Sequence, residues 1–165
     1  MLNLDVHYLL TEPVGTTRIF YIEEGQLQLD DDLTVAFLRG EIECLRTDYG
    51  LFAQGEIATQ VEVQCVRCLT PIPYSLTIQL ADRFAYNPQA LDQAQDPAFP
   101  ILNKGTIDLV PALREHTLLS LPLHPLCRPD CQGLCSRCGA NLNEGPCGCP
   151  QEEADPRLAA LKGLL

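Results

Sequence analysis

The sequence predicts an α+β fold: an antiparallel β-sheet or open barrel with one packed helix, then a C-terminal zinc-knuckle appendage and a short terminal helix. Three observations predict it. Apolar residues alternate with polar ones through the first half of the chain, one later segment has helical spacing, and six of the nine cysteines crowd between Cys127 and Cys149. The 165 residues suit one principal domain that buries about two thirds of its unfolded surface. We expect a strand-rich body over residues 1–124 and a cysteine-rich appendage over residues 125–165.

In order along the chain, the first strand candidates are Leu4 to Leu10, Arg18 to Glu23 and Leu33 to Cys44, with glycines as turn or bulge points. Ile57, Thr59, Val61, Val63 and Cys65 then share one face of a strand, and Tyr74, Leu76, Ile78 and Leu80 share one face of another. Between Asn87 and Thr106 prolines and polar residues dissolve the pattern, which predicts a surface loop. Asp108 is a candidate N-cap for a helix over about 108–121. Leu109, Ala112, Leu113, His116 and Leu119 form its apolar side, and Pro122 stops it. Asp155 and Pro156 open a final amphipathic helix with Leu158, Leu161, Leu164 and Leu165. No repeat of 20 to 50 residues stands out.

Charge and hydropathy narrow the function. Acidic residues outnumber basic ones 22 to 11, and a net charge of -11 opposes the phosphate contacts of non-specific nucleic-acid binding, so any RNA contact has to be local. The first residues carry Asp5 and Glu12 without a basic start and apolar run, and the longest apolar run, near Leu118 to Leu123, is too short to cross a bilayer. The expectation is a cytoplasmic protein, and in that redox setting nine cysteines point to thiolate–metal chemistry rather than to disulfides.

A tetrahedral zinc ion takes four thiolates at about 2.3 Å, and ligands two to four residues apart converge through a tight turn. Cys135 and Cys138, followed by Gly139, have this spacing. Gly148 lets Cys147 and Cys149 bend to one centre, and Gly145 and Pro146 turn the chain back. Cys65 and Cys68 form another knuckle at a strand end, with Cys127 and Cys131 left to complete a second site. Two zinc ions per chain are expected. The spacing also admits one site with two spare cysteines, or Cys131 in place of Cys149. Losing a site should loosen the fold, because zinc binding in small finger peptides is worth an apparent ~10–16 kcal/mol.

Several residues have plainer roles. Cys44, beside Ile42 on a strand, is expected in the core. His7, His116 and His124 are scattered, though His124 is near enough to stand in for a neighbouring cysteine. Arg67, Arg128 and Arg137 lie within the knuckles and by default balance the net charge of -2 on a four-thiolate zinc, with phosphate contact as their alternative. No catalytic residue is assigned. Pro71 and Pro73 deny the Cys65–Cys68 pair the helix start of a thioredoxin-like motif. His-Glu-x-x-His, deaminase and phosphate-loop patterns are missing from the sequence, and four-cysteine sites leave no open position for a substrate.

Taken together, Val61 to Leu69 around Cys65 and Cys68, Ile107-Asp108-Leu109, Leu121-Pro122-Leu123 running into Cys127, the Cys131 to Cys138 run with Gly139, Asn141-Leu142-Asn143, and Asp155-Pro156-Arg157 with Leu161-Lys162 resemble the bacterial YceD family, the large ribosomal RNA subunit accumulation proteins. The resemblance covers about residues 55 to 165. It implies a cytoplasmic, non-enzymatic factor needed for large-subunit ribosomal RNA to accumulate. Two routes are open: direct contact with that RNA or its precursor through Arg67, Lys104, Arg128 and Arg137, or binding of a basic ribosomal protein or assembly factor by the acidic surface. Outside ribosome assembly, the alternative is a zinc-stapled adaptor between other proteins. No membrane and no small-molecule substrate is expected.

Overall fold

The computed structural model describes residues 2–87, 98–102 and 105–150. It forms a curled mixed sheet, a half-barrel of eight strands. In chain order these are β1 (Asn3–Asp5), β2 (Thr17–Glu24), β3 (Leu27–Asp30), β4 (Leu33–Thr47), β5 (Gly50–Gln64), β6 (Pro71–Ala85), β7 (Ala98–Leu102) and β8 (Thr106–Asp108). Helix α1 (His7–Thr11) follows β1, and α2 (Val110–Ser120) follows β8. The spatial order is β1-β8-β7-β6-β5-β4-β2, with β3 also paired to β4.

Three 15-residue strands, β4 to β6, make the centre of the sheet. Their alternation has the expected result: Ile57, Thr59 and Val61 of β5 and Ile78 and Leu80 of β6 are buried, while the intervening residues face outward. The two-residue turn Asp48-Tyr49 joins β4 to β5, and Cys65 to Thr70 join β5 to β6, so the first cysteine pair lies at a hairpin tip. Gly40 of β4 and Gly55 of β5 each meet the backbone of the paired strand. A Cβ at Gly40 would lie 2.1 Å from the Glu56 carbonyl oxygen, and one at Gly55 would lie 2.1 Å from that of Glu41. Only glycine permits backbones this close. The register between β4 and β5 shifts between Val35 and Leu38, and the buried Thr59 hydroxyl donates to the Phe37 carbonyl there.

The sheet is mixed rather than antiparallel, because β7 runs parallel to β6 through Arg83↔Ala98, Phe84↔Phe99 and Ala85↔Pro100. Residues 86–97 provide the length that a parallel return requires. The expected loop between Asn87 and Thr106 contains β7 and runs into the start of β8, because Phe99 packs 5.6 Å from the Phe84 ring and Ile101 and Ile107 enter the core; the rest of that expectation, at 88–97 and 103–104, lies outside the described residues. Leu4 to Leu10 is likewise not one strand. Val6, Leu9 and Leu10 are buried at helical spacing, and the Asp5 carboxylate accepts the His7 N–H as α1 starts.

Helix α2 covers the core side of β6 with Ala112, Leu113 and Thr117, while Leu119 is 80% exposed. The buried stripe follows i, i+4 through Leu113 and Thr117, whose hydroxyl donates to the Leu113 carbonyl. Asp108 does accept the Val110 N–H, at 3.0 Å, although Leu109 occupies the N-cap position. His116 Nε2 lies 2.9 Å from Asp82 Oδ2 on β6. Arg114 Nε donates to Asp30 Oδ2 at 2.5 Å, and this bond holds the Asp30 carboxyl below its ordinary value. The expected final helix from Asp155 lies outside the described residues. Gly40→Ala and Gly55→Ala should each destabilise the protein by about 2–4 kcal/mol, read as a lower urea midpoint with an unchanged m-value.

Candidate metal centres

The β5–β6 hairpin tip carries the first knuckle. Cys65 N–H donates to the Thr70 carbonyl, and Leu69 N–H donates back to the Cys65 carbonyl at 2.9 Å. Leu69 is the one non-glycine at positive φ (59°) among the described residues. Gly139, which follows Cys138, has φ 72° and donates to the Cys135 carbonyl at 2.9 Å. The two knuckles therefore share one backbone turn. At the first, leucine takes a conformation that ordinarily costs a side-chain-bearing residue roughly 1–2 kcal/mol.

From residue 121 to 150 the chain is irregular, apart from a bridge between Leu134 and Asn141. It is tied to the hairpin by backbone bonds from Val66 N–H to the Pro125 carbonyl and from Leu134 N–H to the Arg67 carbonyl. Gly133 passes so near Arg67 that a Cβ would meet its carbonyl oxygen at 3.0 Å, and its φ of 77° also favours glycine. This docking brings Cys127 and Cys131 to Cys65 and Cys68. Cys65 Sγ lies 3.8 Å from Cys131 Sγ, and Cys68 Sγ lies 3.6 Å from Cys127 Sγ. A disulfide spans about 2.05 Å, whereas a tetrahedron with ~2.3 Å metal–sulfur bonds has sulfurs ~3.8 Å apart.

Cys135, Cys138, Cys147 and Cys149 form the second cluster, and within each cluster the four sulfurs lie within 4.8 Å of one another. Each can offer a metal ion four ligands. The grouping follows the expected two-site partition, and His124 joins neither cluster. Cys44 is fully buried in the sheet core, where burial pushes its thiol up to about 12.

The surroundings favour negative sulfur at some positions and oppose it at others. The Cys68 backbone N–H draws the Cys65 thiol down to about 6, and the Cys138 backbone N–H does the same for Cys135. The Thr70 hydroxyl lowers Cys68, while the hydrogen bond to Cys138 raises Cys149 to about 12. Four thiolates this close repel one another unless a cation neutralises them, so cation binding and thiol ionisation are coupled.

Arg67 Nη1 donates to the Cys131 carbonyl at 2.7 Å. Arg128 Nη2 donates to Asn143 Oδ1 at 2.8 Å, and its Nε lies 3.6 Å from Asp130. Arg137 is exposed, and Lys104 lies outside the described residues. The residue that single-position reasoning missed is Asn143, whose Nδ2 donates to Cys131 Sγ at 3.4 Å. Its signal was the Asn-x-Asn spacing, since Asn143 N–H also donates to Asn141 Oδ1.

A family model described as large ribosomal RNA subunit accumulation protein YceD matches residues 53–165. The chain belongs to the YceD family. The match starts within β5 and takes in both cysteine clusters. An uncharacterised protein of Mycobacterium tuberculosis is 36% identical over 150 residues, 90% of this chain and 67% of the relative. The uncharacterised protein YlbN of Bacillus subtilis is 27% identical over 128 residues, 77% of this chain and 71% of that one. The Arabidopsis thaliana protein named large ribosomal RNA subunit accumulation protein YCED homolog 1, chloroplastic, is 36% identical over 58 residues, 35% of this chain and 18% of the relative. No solved structure matches significantly.

Elemental analysis of this YceD chain, purified without a tag, should find two divalent ions per molecule. Cys68→Ser and Cys138→Ser should each lose one, and the Cys68 variant should also free the C-terminal segment from the hairpin, read as protease sensitivity after residue 121.

Proposed function

We propose that this protein is a non-catalytic factor that supports accumulation of large-subunit ribosomal RNA, with zinc at both cysteine clusters. The family match over residues 53–165 carries this reading. Four soft thiolates in each cluster suit zinc and complete a tetrahedral shell, leaving no position at which a substrate would bind the ion. We assign a body to residues 1–124 and a zinc-held appendage to residues 125–165. No helix among the described residues is long and apolar enough to cross a membrane. We place the protein in the cytoplasm, where reduced thiols remain available to metal.

We further propose that the route is protein contact, with a basic ribosomal protein or assembly factor as partner. The side chains of Arg67 and Arg128 donate to groups beside the cysteines, whereas among the described residues no side-chain bond of this kind engages the exposed Arg137. The net charge of -11 favours encounter with a basic partner and disfavours RNA.

Cells lacking the protein should show a lower ratio of large- to small-subunit ribosomal RNA, restored by the wild-type chain and not by Cys65→Ser. An unchanged ratio refutes the assignment. Purified basic large-subunit ribosomal proteins should bind the full chain after nuclease treatment. Binding to RNA alone that falls steeply with salt and weakens in Arg137→Ala would instead establish the RNA route.

A further inference from the structure

The loop between Cys138 and Cys147 belongs by sequence to the second centre, yet the side chain of Asn143 in its middle reaches the first. Asn143 Oδ1 accepts the Gln132 backbone N–H and Arg128 Nη2, both at 2.8 Å. Its Nδ2 donates to Cys131 Sγ at 3.4 Å and to Asn141 Oδ1 at 2.7 Å. Both donors and both acceptor positions of the amide are used, and flipping it would turn an oxygen toward the Cys131 sulfur and the Asn141 oxygen. Three of these four bonds go to the segment 128–132, between and just beyond two ligands of the first centre. The loop that presents Asn143 is anchored at either end by Cys138 and Cys147. Glu144 N–H donates to the Asn141 carbonyl within the loop, while Leu142 N–H donates out of it to the Gly133 carbonyl, and Gly139 N–H and the Ala140 carbonyl bond the Cys135 backbone.

We propose that Asn143 couples the two centres, so that an ion bound by Cys135, Cys138, Cys147 and Cys149 tightens ion binding by Cys65, Cys68, Cys127 and Cys131. Closing the second centre fixes both ends of the loop and holds the Asn143 amide in place. The amide then supplies an N–H to the Cys131 thiolate, relieving part of the charge of -2 on a four-thiolate divalent centre, and orients the Cys127–Cys131 segment through Gln132 and Arg128. The coupling is reciprocal, so filling the first centre tightens the second by the same factor. Asn143 is a positioning residue, and the proposal rests on the metal assignment made above.

Cobalt titration of the full chain, followed by thiolate-to-metal absorption, tests it. The affinity of the first centre is measured with the second intact and with the second disabled by Cys147→Ser/Cys149→Ser. Disabling the second centre should weaken the first about 10–100-fold, the usual range for losing a bond to a metal ligand. In Asn143→Ala the same disabling should leave the first centre unchanged. Equal affinity with and without the second centre, or an undiminished difference in Asn143→Ala, overturns the coupling while leaving the metal assignment standing. A wild-type chain that binds no cobalt overturns both. If Asn143→Ala does not fold, Asn143→Asp keeps the acceptor for Gln132 and Arg128 and removes the donor to Cys131. It should lose the difference and move the absorption band of the first centre, and persistence of both overturns the proposal.

Discussion

Convergence of sulfur from two distant stretches of chain is the constraint on which the rest of the molecule depends. Cys65 and Cys68 sit at the tip of the longest hairpin, and Cys127 and Cys131 arrive after two further strands and a helix. Residues 121–150 have almost no regular structure, and few apolar side chains there are buried. Such a segment cannot offset its own conformational entropy through a core. Its order comes from backbone bonds to the hairpin and from four sulfurs brought into coordinating distance. Leu69 shows the strength of that requirement, since the knuckle turn forces a leucine into a conformation glycine takes at the corresponding place in the second knuckle.

The half-barrel presents this arrangement. Long strands β5 and β6 carry the knuckle outward, while the sheet, with its close approaches at Gly40 and Gly55, curls around a core closed by α1 and α2. The polar pairs Arg114–Asp30 and His116–Asp82 tie α2 to β3 and β6. The body and the cysteine segment thus divide the work: the sheet fixes where the hairpin tip lies, and the sulfur clusters fix what attaches to it.

Under the proposed function, charge acts on partner choice. Acidic residues outnumber basic ones 22 to 11, and two of the basic side chains considered for phosphate contact, Arg67 and Arg128, are engaged in holding the cysteine segment together. Arg67 and Arg128 were legible as charges within knuckles, but their geometry makes them braces for the chain around Cys131. The same sequence position therefore served electrostatics and packing at once, a distinction that residue type does not express.

Local pattern was enough for β2, for the central strands β4 to β6, for α2 and for the closely spaced cysteine pairs, because strand alternation, helical spacing and knuckle spacing depend on neighbours within a few residues. The spacing left more than one partition of the eight cysteines open, and it is the fold that brings Cys65 and Cys68 to Cys127 and Cys131. Tertiary structure decided what depends on distant partners. It made β7 parallel to β6, turned part of Leu4 to Leu10 into α1, exposed Leu119 while burying Thr117, and brought Asn143 to a sulfur of the other cluster. Each of these choices turns on pairing energy or burial against residues far away in the chain, and no short window of sequence contains both members of such a pair.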